Sequence, residues 1–412
     1  MMAQTDGTYV GYSPYSVYGI GNIHQGGPAW NRGMAGVGIA TRNKRFINIE
    51  NPASITARDS LSFMSDYSVS GKFSLLKEDS KTGFNTTLNL ENFVISFPLW
   101  KHTAFMAGLL PFSEVGYSIS DTEVDYYSGR RTFTTTGNGG LYQVFAAGAF
   151  TLWNRLSLGL QANFLFGSIN KTASTSTTES SFLGFTTGDS LQVNNFNLKA
   201  GLQYEQPVSV NSVVTVGATY RMSTPFRGHR IHYLSNGSYS IGGDREEVLI
   251  KNDNLRLGQE LGIGLSYRNA DTWMAEFDYI RSDWRNSGFS GVPGFSDEGV
   301  AATFTSGVAQ SFKAGFEITP NRNDIRYFLK RCTYRAGAYY DTSYYMVNGD
   351  YISAAGITFG MTLPVFRWYN GVSVSLDFGR RGLRSSQVKE NYFGFNLGLN
   401  MFDIWFKKPR YE

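Results

Sequence analysis

The sequence predicts an all-β protein: a transmembrane antiparallel β-barrel of about 14 strands with an N-terminal plug inside the lumen. Three observations predict it, namely the composition, a recurring two-residue alternation, and the sorting of short and long connections. Charged residues are 17% of the 412-residue chain, below the roughly 25% of globular domains, while Gly (46), Tyr (25) and Phe (31) are abundant. Because no run approaches the ~20 apolar residues of a membrane helix, strands are the expected way across a membrane.

Residues 1–58 come first and follow no strand pattern, so we expect them to form the plug. They are rich in glycine, including Gly33, Gly36 and Gly38 in the stretch GMAGVGIA. The order of these glycines does not match the GxGxxG of a nucleotide-binding loop, and no strand–helix frame surrounds them. Close packing of backbone against a barrel wall accounts for them. A periplasmic tail is the alternative interpretation of this region.

Residues 59–406 are predicted to form the barrel, because apolar and small polar residues alternate along them. In NYFGFNLGLNMFDIWF (391–406), Phe395, Leu397 and Leu399 share one face, and Asn396 and Gly398 share the other. An apolar face suits lipid and a small polar face suits a lumen. The predicted strands lie near 61–76, 86–99, 103–119, 139–153, 156–171, 190–206, 213–226, 255–268, 273–286, 309–319, 333–347, 352–364, 371–381 and 391–406.

The connections between these strands differ in length on the two sides. One side has short links at 100–102, 154–155, 207–212, 269–272 and 365–370, with a longer one at 320–332. The other side has long polar stretches near 120–138, 172–189, 227–254 and 287–308. Short periplasmic turns and long extracellular loops are typical of bacterial outer-membrane barrels. We therefore expect a multi-pass outer-membrane protein with both termini periplasmic and residues 407–412 as a periplasmic tail.

The predicted lumen face carries charges of both signs in the middle of strands. Such charges are tolerated at membrane depth when they face water, a polar plug or each other. We interpret them chiefly as ion pairs that anchor the plug. The candidates are Lys199, Arg221, Glu276, Asp278, Arg335 and Asp377, with Asp66, Lys72, Glu205, Glu260, Lys313 and Glu317 on the same face.

The sequence gives little support to catalysis, and we expect neither an enzyme nor a cofactor. His229 and His232 share a segment, but no third ligand is evident, so no metal site is predicted. Glu276 and Asp278 could do acid–base work as a pair, although ion pairing with Arg or Lys across the lumen is preferred. Cys332 is the single cysteine, which excludes an intramolecular disulfide. The net charge of +4 is scattered, which argues against nucleic-acid binding.

Two motifs resemble the FadL-like family of outer-membrane transporters for hydrophobic compounds, in particular its Bacteroidetes members. The two motifs are GMAGVGIA at 33–40 and Asn51-Pro52-Ala53 just before the first strand. Two further stretches, YSVYGIG at 15–21 and the closing WFKKPRYE, resemble the Bacteroidetes branch of the family. The resemblance implies a plug that blocks the lumen, with N-P-A as a gating motif beside an inward kink of the third strand. A hydrophobic ligand would enter from outside and leave sideways into the membrane.

Pro111 lies within the predicted third strand and is the candidate for this kink, with Gly116 nearby. Proline cannot donate a ladder hydrogen bond and is confined to edges and bulges. A closed barrel has no edge, so Pro111 indicates a local break. A bulge near the extracellular rim is the equally weighted alternative.

Two functions remain open at this stage. The first is passive transport of a hydrophobic compound through the plugged lumen with lateral exit near the third strand. The second is a non-transporting barrel subunit of a larger outer-membrane complex, for barrel assembly or protein secretion. The expected partners are outer-membrane lipid and lipopolysaccharide, a hydrophobic small molecule, or other outer-membrane proteins and lipoproteins. A continuous apolar path to Pro111 would favour transport, and a lumen filled by an ion-paired plug would favour the subunit.

Overall fold

The barrel wall is closed and antiparallel, with fourteen strands as predicted. The computed structural model describes residues 12–24, 27–59, 61–78, 81–125, 129–177, 184–236, 245–251, 254–291, 304–365, 370–383 and 388–405. Residues 1–11 and the predicted tail 407–412 lie outside these ranges, so the sides on which the termini lie stay predictions. Closure is made by the last strand, which pairs with the first along its whole length from Lys389↔Lys77 to Ile404↔Ser62.

Most wall strands are continuous, and three are built from two pieces. The first seven crossings are β2 (Ser62–Glu78), β3 (Lys81–Trp100), β4 (Thr103–Asp125), β5 (Gly129–Leu152), β6 (Leu156–Thr177), β7 (Phe185–Ser209), and β8 (Ser212–Arg221) continued by β9 (His229–Asn236). The next three are β10 (Arg245–Lys251) continued by β11 (Gln259–Asn269), then β12 (Trp273–Asp283), and β13 (Phe304–Ser306) continued by β14 (Val308–Ile318). The last four are β15 (Thr333–Val347), β16 (Asp350–Pro364), β17 (Gly371–Arg381) and β18 (Lys389–Ile404).

The alternation in the sequence becomes the two faces of the wall. In β18, Leu397 and Leu399 are 46% and 44% exposed, whereas Asn396 and Asn400 are buried on the lumen side. Aromatic rings pack on one another near both ends of the outer face. They include Phe63–Trp405 and Phe97–Phe105 at the end with short turns, and Phe73–Phe84 and Phe378–Phe393 toward the other end. An apolar band between two aromatic girdles is the outer surface of a membrane-spanning barrel.

The long polar stretches predicted as loops are largely strands, which corrects that part of the prediction. The β4–β5 ladder continues to Asp125↔Gly129, so 120–125 and 129–138 are paired strands. The described residues 172–177 and 185–189 likewise belong to β6 and β7, and 227–254 contains β9 and β10. Only 287–308 is partly irregular in its described part, with a 3₁₀ turn at Phe289–Gly291. Thr- and Ser-rich segments pair well as strands beyond the bilayer, although their polarity resembles that of loops.

The N-terminal segment, residues 12–58, packs against the lumen side of the wall. Its elements are short: 3₁₀ turns at Pro14–Val17 and Pro52–Ala57, the two-residue strand β1 (Asn22–Ile23), and the single helical turn α1 (Ala29–Arg32). A second helical turn, α2 (Phe328–Arg331), lies in the connection from β14 to β15. Within the described ranges, no helix is long and apolar enough to cross a membrane.

Candidate functional site

Two carboxylates of β12 bind the backbone of the N-terminal segment. Asp278 Oδ2 accepts hydrogen bonds from the amides of Gly38 (2.7 Å) and Ile39 (3.0 Å). Glu276 Oε1 accepts from the amides of Ala40 (2.7 Å) and Thr41 (3.0 Å), and its Oε2 accepts from the Thr41 hydroxyl. Both residues lie on the lumen side, and their hydrogen-bond partners are donors of the N-terminal segment, not Arg or Lys side chains.

Arg335 of β15 forms a second attachment point. Its Nε donates to Glu317 at 2.8 Å, and its guanidinium lies over the rings of Phe46 (4.8 Å) and Trp30 (5.6 Å). The Trp30 indole in turn donates to the Ile47 carbonyl at 3.0 Å. A buried cation is held here by one carboxylate and two aromatic faces, a favourable arrangement when water is excluded.

The N-P-A motif lies against β6, β7 and β8. The Asn51 side chain accepts from the Ala53 amide, which caps the 3₁₀ turn, and donates to the carbonyls of Ile39 (2.8 Å) and Leu202 (3.1 Å). A Cβ on Gly201 would lie 2.1 Å from Asn51 Oδ1, so only glycine in the wall allows this approach.

The glycines of GMAGVGIA have distinct surroundings. A Cβ on Gly33 would lie 2.8 Å from the Cα of Gly360 in β16, so backbone meets backbone at this point. Gly36 has φ +73°, in the region that glycine adopts without strain, and lies beside the Lys313 ammonium. Gly38 has no room for a side chain because of Asn48 and Glu50.

The β3–β4 ladder stops partway along the wall. It runs from Trp100↔Thr103 to Phe93↔Leu109 and pairs no residues of the two strands beyond that point. Pro111 follows directly, and the β4–β5 register shifts between Pro111 and Ser113. We call the unpaired stretch between β3 and β4 the seam. The break therefore begins in the middle of β4, not at its rim.

The N-terminal segment takes the place of β3 along the seam. The Ser13 amide donates to the Gly116 carbonyl and the His24 amide donates to the Phe112 carbonyl, both at 2.9 Å. Between these bonds, β1 pairs with Glu114 and Ser113 of β4. Thus β4 has hydrogen-bond partners on both sides, although one of them belongs to the N-terminal segment.

Glu91 of β3 is fully buried beside the seam and holds the same segment. It lies 2.7 Å from His24 Nε2 and 3.0 Å from Arg32 Nε. Burial lowers the pKa of Arg32, but the neighbouring Glu91 outweighs burial, and the pKa is raised. The sequence interpretation missed all three residues. A signal was present, because the apolar alternation through Leu88 and Leu90 shifts by one residue at Glu91, as expected of a β-bulge.

One cavity of the lumen has a volume of about 400 Å³ and is lined by polar and apolar residues alike. Arg221 pairs with Glu260 at 3.0 Å on its wall, and the Tyr339 hydroxyl donates to Asp377 at 2.9 Å. Lys199 also lines this cavity. Charged groups of both signs therefore face the space next to Pro111, together with apolar side chains such as Phe112 and Ile352.

Toward the long hairpins, the lumen is closed by a packed apolar core. Tyr15 and Ile20 of the N-terminal segment are buried there among wall side chains and residues of the long connections. The wall contributes Phe112, Val115, Tyr117, Leu141, Leu165, Ile169, Leu191, Val193, Tyr344, Tyr345 and Ile352, and the connections contribute Phe226, Leu255, Leu257, Trp284 and Phe289. These apolar side chains pack together in this part of the lumen.

A second cavity, of about 330 Å³, lies at the short-turn end and is strongly basic. Arg42 pairs with Glu205 at 2.8 Å and Arg45 with Asp271 at 2.6 Å. Burial lowers the pKa of Arg58, which also lines this cavity, to about 9.

The described residues contain no group of His, Cys, Asp or Glu suited to holding a metal ion. His232 lies 3.2 Å from Asp189, a wall-to-wall contact between β9 and β7.

The geometry defines a class of protein: a transmembrane β-barrel of FadL-like plan whose lumen holds its own N-terminal segment. The family model of BamG matches residues 1–412, and the chain belongs to the BamG family. No curated protein sequence matches the chain.

Several solved structures share the fold. The toluene transporter TodX of Pseudomonas putida superposes with a TM-score of 0.63 at 14% identity, covering 93% of this chain and 99% of TodX. The CymD monoaromatic hydrocarbon channel superposes with a TM-score of 0.60 at 14% identity, covering 91% of this chain and 97% of CymD. A Pseudomonas aeruginosa FadL homologue superposes with a TM-score of 0.56 at 12% identity, covering 94% of this chain and 100% of the homologue. These neighbours are channels and transporters, not enzymes, and at this identity the likeness concerns the fold.

Proposed function

We propose that this chain is a non-transporting barrel subunit of a larger outer-membrane complex, of the kind that assembles barrels or secretes proteins. One observation carries the proposal: an N-terminal segment occupies much of the lumen and is bound to the wall through buried charges. In this account residues 1–58 act as a fixed plug, and the outer wall and rims are the working surfaces.

The energetics of the attachments support a fixed plug. Withdrawing the segment would break the four amide bonds to Glu276 and Asp278 and separate Arg32 from Glu91. Separating the members of a single buried ion pair costs about 3–5 kcal/mol. Several such losses together equal much of the stability of an ordinary domain, about 5–15 kcal/mol. A plug held in this way could leave the lumen only at a large cost in free energy.

The family match supports the same proposal. The BamG model covers the whole chain, whereas the proteins described as hydrocarbon channels share only the fold at 12–16% identity. A common barrel plan does not carry a common function. In this proposal the barrel lies in a bacterial outer membrane with its short turns periplasmic, and lipopolysaccharide surrounds the long hairpins. The Bacteroidetes origin suggested by the sequence stays a prediction.

Passive transport of a hydrophobic compound is the second candidate, favoured by the seam. The cavity of about 400 Å³ reaches Pro111 and Phe112 beside the point where β3 and β4 separate. In this alternative, a ligand would part the apolar core around Tyr345, displace the Asn51–Ala53 end of the plug, and leave sideways along Pro111.

Gentle purification of the barrel from its own outer membrane separates the two candidates. Protein and lipid that remain bound would be identified and quantified by mass spectrometry. Stoichiometric protein partners without an enriched apolar ligand would support the subunit. A lone barrel carrying a fatty acid or similar compound in stoichiometric amount would overturn it in favour of transport.

A further inference from the structure

The connection from β14 to β15 differs from the turns beside it at the short-turn end. Residues 319–332 are longer than the neighbouring turns and contain four basic residues against one acidic residue. The acidic residue is Asp324. The four basic residues are Arg322, Arg326, Lys330 and Arg331.

Internal hydrogen bonds give this connection a defined shape. Asp324 Oδ1 accepts from the amides of Tyr327 (2.7 Å) and Arg326 (2.9 Å), and these donors lower the pKa of Asp324. The Asn321 amide donates to the Lys330 carbonyl at 2.9 Å and closes the base of the loop. The apolar side chains of the loop are thus presented by an ordered backbone that includes α2.

Tyr334 places α2 beside the outer wall. Its neighbour Arg335 faces the lumen, and successive side chains of a strand point to opposite faces, so Tyr334 faces lipid. The Tyr334 hydroxyl donates to the Leu329 carbonyl at 3.0 Å. The outward pair Trp273–Phe316 belongs to the aromatic girdle at this end. The loop therefore bends outward at the level where lipid headgroups lie.

The side chains of the loop combine exposed apolar groups with cations. Ile325 is 101% exposed and Leu329 is 64% exposed. Lys330 lies 4.6 Å above the Tyr327 ring, and Arg331 lies 5.1 Å from the Phe328 ring. Large apolar groups beside aromatic rings and Lys or Arg are the composition of segments that lie in a membrane interface.

Only two of the four cations have a carboxylate neighbour among the described residues. Arg322 lies 3.6 Å from Asp271 and Lys330 lies 3.7 Å from Asp324, whereas no carboxylate of the described residues pairs with Arg326 or Arg331. Phosphate groups of a bilayer would supply the missing negative charge at this depth.

We propose that residues 321–331 are an interfacial anchor for anionic phospholipid. Ile325, Phe328 and Leu329 insert between the lipids of the leaflet at the short-turn end, and Arg326 and Arg331 bind their phosphates. This inference does not depend on the choice between subunit and transporter. It assigns a lipid-binding surface to one connection of the short-turn rim, beside the surfaces proposed for protein partners.

A depth measurement tests the insertion directly. In a Cys332→Ser background, nitroxide labels are placed by Leu329→Cys and, as control, by Gly349→Cys in the open β15–β16 turn. The proteins are reconstituted into vesicles of phosphatidylglycerol and phosphatidylethanolamine, and power saturation compares access of oxygen with access of a water-soluble nickel complex. We expect the label at 329 to favour oxygen and the label at 349 to favour nickel. Equal preference for nickel at both positions overturns the anchor and makes the loop a water-facing surface for protein.

A charge test measures the headgroup contribution. Arg326→Gln/Arg331→Gln is compared with Arg130→Gln/Arg131→Gln, an equal charge change on β5 at the opposite end. Phosphatidylglycerol is titrated onto each purified barrel in detergent, and bound lipid is counted by native mass spectrometry. A basic residue near an anionic surface contributes about 1 kcal/mol, or roughly fivefold, so affinity should fall on the order of 25-fold in the first variant and hardly at all in the second. Wild-type affinity in the first variant would contradict the proposal.

Discussion

The contact of Asp278 with the N-terminal segment offers the sharpest test of how firmly that segment is held. Asp278 Oδ2 accepts the amides of Gly38 and Ile39, while its Oδ1 is buried without a partner. Asp278→Ala removes the acceptor and leaves both amides buried and unsatisfied. Asp278→Asn can keep its oxygen at the Oδ2 position and loses only the charge.

The magnitudes follow from the cost of orphaned donors. Each buried unsatisfied amide costs about 1–3 kcal/mol, so Asp278→Ala should destabilise the docked segment by about 2–6 kcal/mol. Since 1.4 kcal/mol corresponds to a tenfold change in an equilibrium constant, local opening becomes roughly 30-fold to 10⁴-fold more frequent. Asp278→Asn should show a smaller effect because neutral hydrogen bonds remain.

Hydrogen exchange followed by mass spectrometry reads this opening through the amides of residues 38–41. The matched control is Asn197→Ala. It removes hydrogen bonds to Asn163 and Asn195, which join only wall residues of β6 and β7. Exchange at 38–41 should accelerate in Asp278→Ala and not in the control. Unchanged exchange in Asp278→Ala would refute the conclusion that β12 holds the segment.

Three further predictions concern the other attachments. Gly201→Ala places a Cβ 2.1 Å from Asn51 Oδ1 and should make residues 51–57 sensitive to protease, whereas Gly148→Ala, whose Cβ has nothing within 4 Å, should leave the digestion pattern unchanged. Asn51→Ala removes the cap of the 3₁₀ turn and the hydrogen bonds to the carbonyls of Ile39 and Leu202. We expect the free energy of unfolding, measured by denaturant titration, to fall by about 2–4 kcal/mol. An unchanged free energy of unfolding would contradict the anchoring role of Asn51. Glu91→Ala removes the carboxylate partner of the partly buried Arg32, at a cost of up to about 3 kcal/mol, so the amides of residues 22–24 should exchange faster. Wild-type protection there would show that the seam is held by backbone pairing alone.

Much of the wall could be predicted from the sequence because a strand places every second side chain on one face. The predicted strands 333–347 and 371–381 coincide with β15 and β17. The hairpin 120–138 could not be recognised, because Thr and Ser suit both loops and strands outside a membrane. Register and the extent of β3–β4 pairing depend on contacts between distant residues, and alternation within one strand does not encode them.

The candidate site was only partly accessible from sequence. The alternation placed Glu276 and Asp278 on the lumen face, but their partners include backbone amides. All residues except proline carry a backbone amide donor, so no sequence motif indicates which ones will be used. Proline chemistry pointed to Pro111, and the ladder does break beside it. The buried Glu91 was missed because a one-residue shift of alternation was the only trace of its bulge.

The most direct test of the central claim is a cryo-electron microscopy map of the barrel extracted gently from its own outer membrane. The account predicts density for at least one further protein against the outer wall or rim, with residues 33–53 undisplaced in the lumen. A lone barrel with an elongated apolar molecule reaching from the core around Tyr345 to Pro111 would contradict it.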